Sequence, residues 1–122
     1  MTPKQFRRIV LGLDGVVEGA HMGHADFRAA NNRIFASLTE DEKRATAKLT
    51  PEQQADFIER APEAFVPAAG AWGRQGWTMI VLAEADEDTL GEAVTLAWQS
   101  ISAAKPARPR AAKKKASKPR RR

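Results

Sequence analysis

The chain has 122 residues, no cysteine and a formal charge of +5, which allows one compact domain and excludes disulfides, thiolate metal sites and a cysteine nucleophile. The charge is unevenly divided. Lys105 to Arg122 reads KPARPRAAKKKASKPRRR and holds ten of the twenty Lys and Arg without a carboxylate, leaving residues 1–104 with ten cations against fifteen acids, about −5 against +10. A binding argument from whole-chain charge would therefore misplace the charge.

Pattern in the body predicts an α+β domain over residues 1–104. Thr2-Pro3-Lys4-Gln5 is an N-cap, a first-turn proline and a capping-box glutamine, and Phe6, Ile9, Val10 and Leu13 follow at helical spacing up to a stop at Asp14-Gly15. The apolar run Ile9 to Leu13 is too short for a secretory h-region, and nothing approaches the ~20 apolar residues of a membrane span. A soluble, cytoplasmic protein with no membrane partner is the expectation. The lack of cysteine fits a reducing compartment.

From Val16 to Leu49 the pattern becomes alternating. Ala25, Phe27 and Ala29 form one phase, Ile34, Ala36 and Leu38 a second, and Ala45, Ala47 and Leu49 a third, with Asn31-Asn32 suited to the first turn. This predicts a three-stranded meander. Thr50-Pro51-Glu52-Gln53 repeats the capping signal and opens a helix to about Ala61, before Pro62. Phe65-Val66-Pro67 reads as a short edge strand, Gly70 to Gly76 as a loop, and Trp77 to Leu82 as a central strand. Asp86 caps a last helix carrying Leu90, Ala93, Val94, Ala97, Trp98 and Ile101, where Gly91 suggests a close approach to the sheet. The predicted order is α-β(3)-α-β(2)-α: a five-stranded, mainly antiparallel sheet with helices on one face, followed by a disordered Lys/Arg/Pro/Ala-rich tail, 105–122.

Several strings resemble the MmcQ/YjbR family of small bacterial proteins: Gly19-x-His21-x-Gly23-His24-x-Asp26-Phe27-Arg28, Arg33-Ile34-Phe35-Ala36-x-Leu38, Lys48-Leu49-Thr50-Pro51-Glu52, Pro62-x-x-Phe65-x-Pro67, Gly76-Trp77-Thr78 and Trp98. The similarity spans roughly residues 3 to 102 and leaves the tail outside. It implies a fold of the type III secretion chaperone-like kind and a DNA-binding class through a proposed double wing. It brings no catalytic residues, and fold constrains function only loosely.

Candidate sites follow from chemistry. His21, His24 and Asp26 are metal-ligand types, but on a single strand the two histidines have opposite parity and point to different faces unless Gly23 introduces a bulge, so packing or hydrogen bonding is the expected role. Trp72, Trp77 and Arg74 around the glycine-rich segment could stack on a base, although Trp77 also suits the core. Arg28, Arg44 and Lys48 share the polar phase and, with Arg33 nearby, form either a solvated face or a phosphate-contacting patch. No serine has a paired base, and Gly70-x-x-Gly73-x-x-Gly76 is no phosphate-binding fingerprint.

The resulting expectation is a non-enzymatic protein with no cofactor and no metal, binding DNA or RNA weakly and without strong sequence preference. Affinity would come mainly from the tail cations Lys105, Arg108, Arg110, Lys113, Lys114, Lys115, Lys118, Arg120, Arg121 and Arg122 by counterion release. Arg28, Arg33, Arg44, Lys48, Trp72 and Arg74 form the body's candidate contact set. The alternative is a protein- or small-ligand-binding module of chaperone-like fold. Oligomeric state is not legible in the sequence.

Overall fold

A computed structural model describes residues 1–104; the predicted tail and its ten candidate cations lie outside the described residues. The chain folds as α1 (Pro3–Leu11), β1 (Val17–His21), β2 (His24–Arg28), β3 (Ile34–Leu38), β4 (Arg44–Lys48), α2 (Pro51–Arg60), β5 (Phe65–Pro67), α3 (Gly70–Arg74), β6 (Trp77–Val81) and α4 (Glu87–Ser102). The strands form one sheet in the order β1-β2-β3-β4-β6-β5, with every adjacent pair antiparallel. The α+β class is as expected. The strand count is six rather than five, because Val16 to Leu49 holds four strands and not three.

Both predicted capping boxes form. Thr2 Oγ1 accepts from the Gln5 amide while Gln5 Oε1 accepts from Thr2 N, and Thr50 and Gln53 repeat the exchange. Two orphan donors at each helix start are thereby satisfied, worth about 1 kcal/mol per cap. The first helix ends sooner than predicted: the Gly12 amide turns back to the Arg8 and Ile9 carbonyls, and Leu13 packs on the core from beyond the helix. Gly70–Arg74, expected to be a loop, is a short helix. Two glycines here answer a space requirement: a Cβ at Gly73, inside this helix, would overlap the Ala68 carbonyl oxygen, and one at Gly76, just beyond it, the Leu49 carbonyl oxygen. Gly91 has the opposite character. A Cβ there would meet nothing within 4 Å, so the close approach expected of it does not occur.

One face of the sheet carries the core. Phe27, Ala36, Leu38, Ala45, Ala47 and Ile80 pack beneath Phe6 and Val10 of α1, Phe57 of α2, and Leu90, Ala93, Val94 and Ala97 of α4. Phe6 meets Phe27 edge to face at 5.6 Å, and Phe57 lies 5.2 Å from Phe65. Simple alternation fails at one point. Phe27 pairs with Ala36 and Arg28 with Ile34, so Phe35 is an extra residue, and the bulge lets both Phe35 and Ala36 enter the core.

Candidate functional site

The opposite face of the sheet is built by the other phase. Gly19, Asp26, Ser37, Thr46 and Met79 form a row of directly paired residues across five strands. On one side of this row stand His21 and His24, and on the other Arg28 with Ile34 and Lys48 with Trp77. No helix of the core layer covers this face; α3 borders it and contributes Trp72.

The β1–β2 hairpin shapes the site. Its turn is Met22-Gly23, with φ of 51° and 84° at the two residues, the positive values a two-residue hairpin needs. The turn sets His21 directly opposite His24, their rings edge to face at 4.6 Å. The single-strand parity expectation is therefore corrected: the histidines occupy two strands and one face. The two rings pack on each other, and His21 is also hydrogen-bonded. His21 Nδ1 lies 2.7 Å from Asp26 Oδ2, and because an ionised carboxylate only accepts, Nδ1 carries the hydrogen. Among the described residues no group of three metal-ligating side chains forms.

Asp26 is fully buried, yet it lies on the polar phase. Close approach of Gly19 on the neighbouring strand makes room for it: a Cβ at Gly19 would stand 3.0 Å from Asp26 Oδ1. Arg28 Nε donates to Oδ1 at 3.0 Å and Nη2 to Oδ2 at 3.3 Å. Burial works against ionisation of this carboxyl, but the hydrogen bonds from Arg28 and His21 outweigh it and hold the group below its ordinary range. The same bonds hold the Arg28 guanidinium above its own. In the sequence Arg28 reads as a cation offered to solvent; in the fold it first neutralises Asp26.

Next to this network is a cleft of about 360 Å³ lined by His21, His24, Ser37, Thr46, Trp72 and Trp77. Ser37 Oγ and Thr46 Oγ1 are hydrogen-bonded to each other at 2.6 Å across β3 and β4. Trp72 is 64% exposed and meets Trp77 edge to face at 6.2 Å. A second cavity of about 430 Å³ adjoins it, lined by Arg28, Asn32, Arg33, Lys48 and Ile101, with Ile34 and Trp77 common to both. Lys48 Nζ donates to the Gln75 carbonyl at 2.8 Å. The predicted basic set thus splits. Arg28, Arg33 and Lys48 line one cavity. Arg44, four residues from Lys48 and roughly 13 Å along the strand, lines a separate hollow with Glu42 and Leu82. Arg74 is exposed at the end of α3 and lines neither cavity.

The YjbR family model matches residues 11–100. The chain belongs to the YjbR family. Comparison with curated proteins gives no match. Among solved structures, the Deinococcus radiodurans protein DR2400, a DUF419-domain protein, aligns with a TM-score of 0.71 at 18% identity, covering 84% of this chain and 79% of that one. A Pseudomonas syringae protein from a structural-genomics programme aligns with a TM-score of 0.65 at 16% identity, covering 82% and 98%. At these identities the likeness shows a shared fold.

Within this YjbR chain, the Gly19-to-Arg28 string is the hairpin that builds the His21–Asp26–Arg28 network. Sequence reading missed β1 and therefore missed the network. The available signal was Met22-Gly23 itself, a central dipeptide ending in glycine between two polar segments, but methionine seldom marks such a turn.

Proposed function

We propose that this YjbR-family protein binds DNA or RNA, weakly and with little sequence preference, without catalysing a reaction on it. Residues 105–122 supply most of the affinity, and the open sheet face fixes orientation. One observation carries the reading. The Asn31 side-chain amide donates to the Ile101 carbonyl at 2.7 Å and to the Ala104 carbonyl at 3.2 Å. The end of α4 is thereby tied to the β2–β3 turn, beside the cavity of Arg28, Arg33 and Lys48. Ala104, which precedes the ten tail cations in sequence, therefore lies beside the cavity of Arg28, Arg33 and Lys48.

A salt titration of the full chain beside residues 1–104 tests this. Ten cations neutralise at most about ten phosphates, so log K against log[salt] on duplex DNA should fall no more steeply than about −9. Removing 105–122 should abolish most of the binding and leave Tm nearly unchanged. Equal affinity of the truncated and full chains would refute the reading.

A second reading, a small-ligand-binding module, is favoured by the 360 Å³ cleft with its paired histidines, hydroxyls and tryptophans, a size and lining common to ligand sites. Binding of that kind would survive both moderate salt and deletion of 105–122.

A further inference from the structure

The open face is cationic within an acidic body. Of the strand residues in its phase, Arg28, Arg44 and Lys48 are positive and Asp26 alone is negative, and Asp26 is buried beneath two partners. The remaining carboxylates of residues 1–104 lie in helices, in loops, or at Glu18 on the other phase of β1, where Arg7 holds it at 3.2 Å. Arg28 and Asp26 offset one another and Arg44 shares a separate hollow with Glu42, so the surplus positive charge beside the two cavities is Lys48, with Arg33 next to it.

An aromatic wall and a cationic wall also meet there. Trp77 lines both cavities, with Trp72 beyond it on one side and Arg28, Arg33 and Lys48 on the other. An edge-to-face pair leaves at least one indole with both faces uncovered by its partner, and Trp72 is largely open to solvent. A planar ring can stack in the first cavity while an attached anion rests in the second.

We propose that the open face takes a segment of single-stranded nucleic acid, an unpaired base lodged against Trp72 and Trp77 and the adjoining phosphate held at Arg28, Arg33 and Lys48. The inference rests on the nucleic-acid reading above and specifies its ligand. A duplex hides its base faces within the stack and cannot offer one to a cleft of this size, whereas a single strand can. A duplex also needs a broad cationic footprint, and the body has one cationic face and a net charge near −5. Ile101, near the end of α4, lines the phosphate cavity.

The test uses the full chain with a labelled thymidine 12-mer, an abasic 12-mer of equal phosphate count, a 12-base-pair duplex, and thymidine monophosphate as competitor. The 12-mer should bind about tenfold more tightly than the abasic strand, the scale of one stacked base, and should quench tryptophan fluorescence. Trp72→Ala should erase that tenfold preference and Trp72→Phe should restore it. Circular dichroism checks that both variants fold. If the 12-mer, abasic strand and duplex bind alike and Trp72→Ala changes nothing, this inference is overturned while the nucleic-acid reading stands. If none binds at low salt, both fall. If the monophosphate displaces the 12-mer at equal concentration, the ligand is a free nucleotide and the strand inference is wrong.

Discussion

The two faces of one sheet differ in what their buried groups are for. Beneath the helices, Phe27, Leu38, Ala45 and Ile80 are inaccessible and belong to the hydrophobic core cluster. On the other face the buried residue is a carboxylate, Asp26, held by an arginine and a histidine beside a cleft. Apolar burial stabilises in proportion to area, at about 25 cal/mol per Å². A buried ion network offsets desolvation with pairing, and its net contribution to stability is small. Its cost makes sense where something besides stability is required, here a fixed His21 ring and a fixed Arg28 at the cleft's edge. The core face holds the fold, and the open face orients side chains.

If that division is right, the largest single effect belongs to the core. Phe27→Ala removes a ring that is 0% exposed and packed edge to face on Phe6, and should cost about 3–5 kcal/mol in denaturant unfolding. Met79→Ala, on the open face and half-buried, should cost only about 1 kcal/mol. Comparable losses would show that the open face is a second core, and the contrast between faces would fail.

The expected order of effects puts Asp26→Asn next. The amide cannot match the charge-assisted bonds from Arg28 and His21, and a cost of roughly 2–3 kcal/mol follows, moderated because both partners reach solvent. The pH dependence has a definite sign. The folded-state pKa of Asp26 is depressed below the ordinary 3.8, so its stabilisation is present above that value and is lost as pH falls through the folded pKa. Wild type should therefore lose stability below about pH 4 more steeply than Asp26→Asn. Parallel pH profiles for the two proteins would mean that Asp26 is not the linked group.

How much of this was legible depended on whether the signal was local. Both helix starts were readable because Thr-Pro-x-Gln acts within four residues, and β4 was readable because Arg44 to Lys48 alternates without a fault. β1 was not, since Val17-Glu-Gly-Ala-His has neither apolar alternation nor β-branched residues beyond its first. The bulge at Phe35 breaks the period-two pattern that sequence reading assumes. The short helix at Gly70–Arg74 was hidden by glycines that disfavour helix locally but are required by the carbonyls of Ala68 and Leu49. The His21–Asp26 bond and the neighbourhood of Arg28, Arg33 and Lys48 depend on strand register. Arg44 separates from Lys48 for the opposite reason: shared parity fixes a face, not a position along it.

The smallest effect calibrates the layer that covers the core, independently of either face. Gly91 is inside α4 with helical neighbours on both sides, and its added methyl would meet no atom within 4 Å. Only backbone terms then remain. Glycine loses more conformational freedom on folding than alanine does, so Gly91→Ala should stabilise the protein by about 0.5–1 kcal/mol. Tm should rise by a few degrees for a domain of this size, with the open face left unchanged because α4 packs on β3 and β4 from the core side. Destabilisation instead would mean that α4 approaches the sheet more closely at Gly91 than its open surroundings allow, and the glycine would then belong to the packing of the core face.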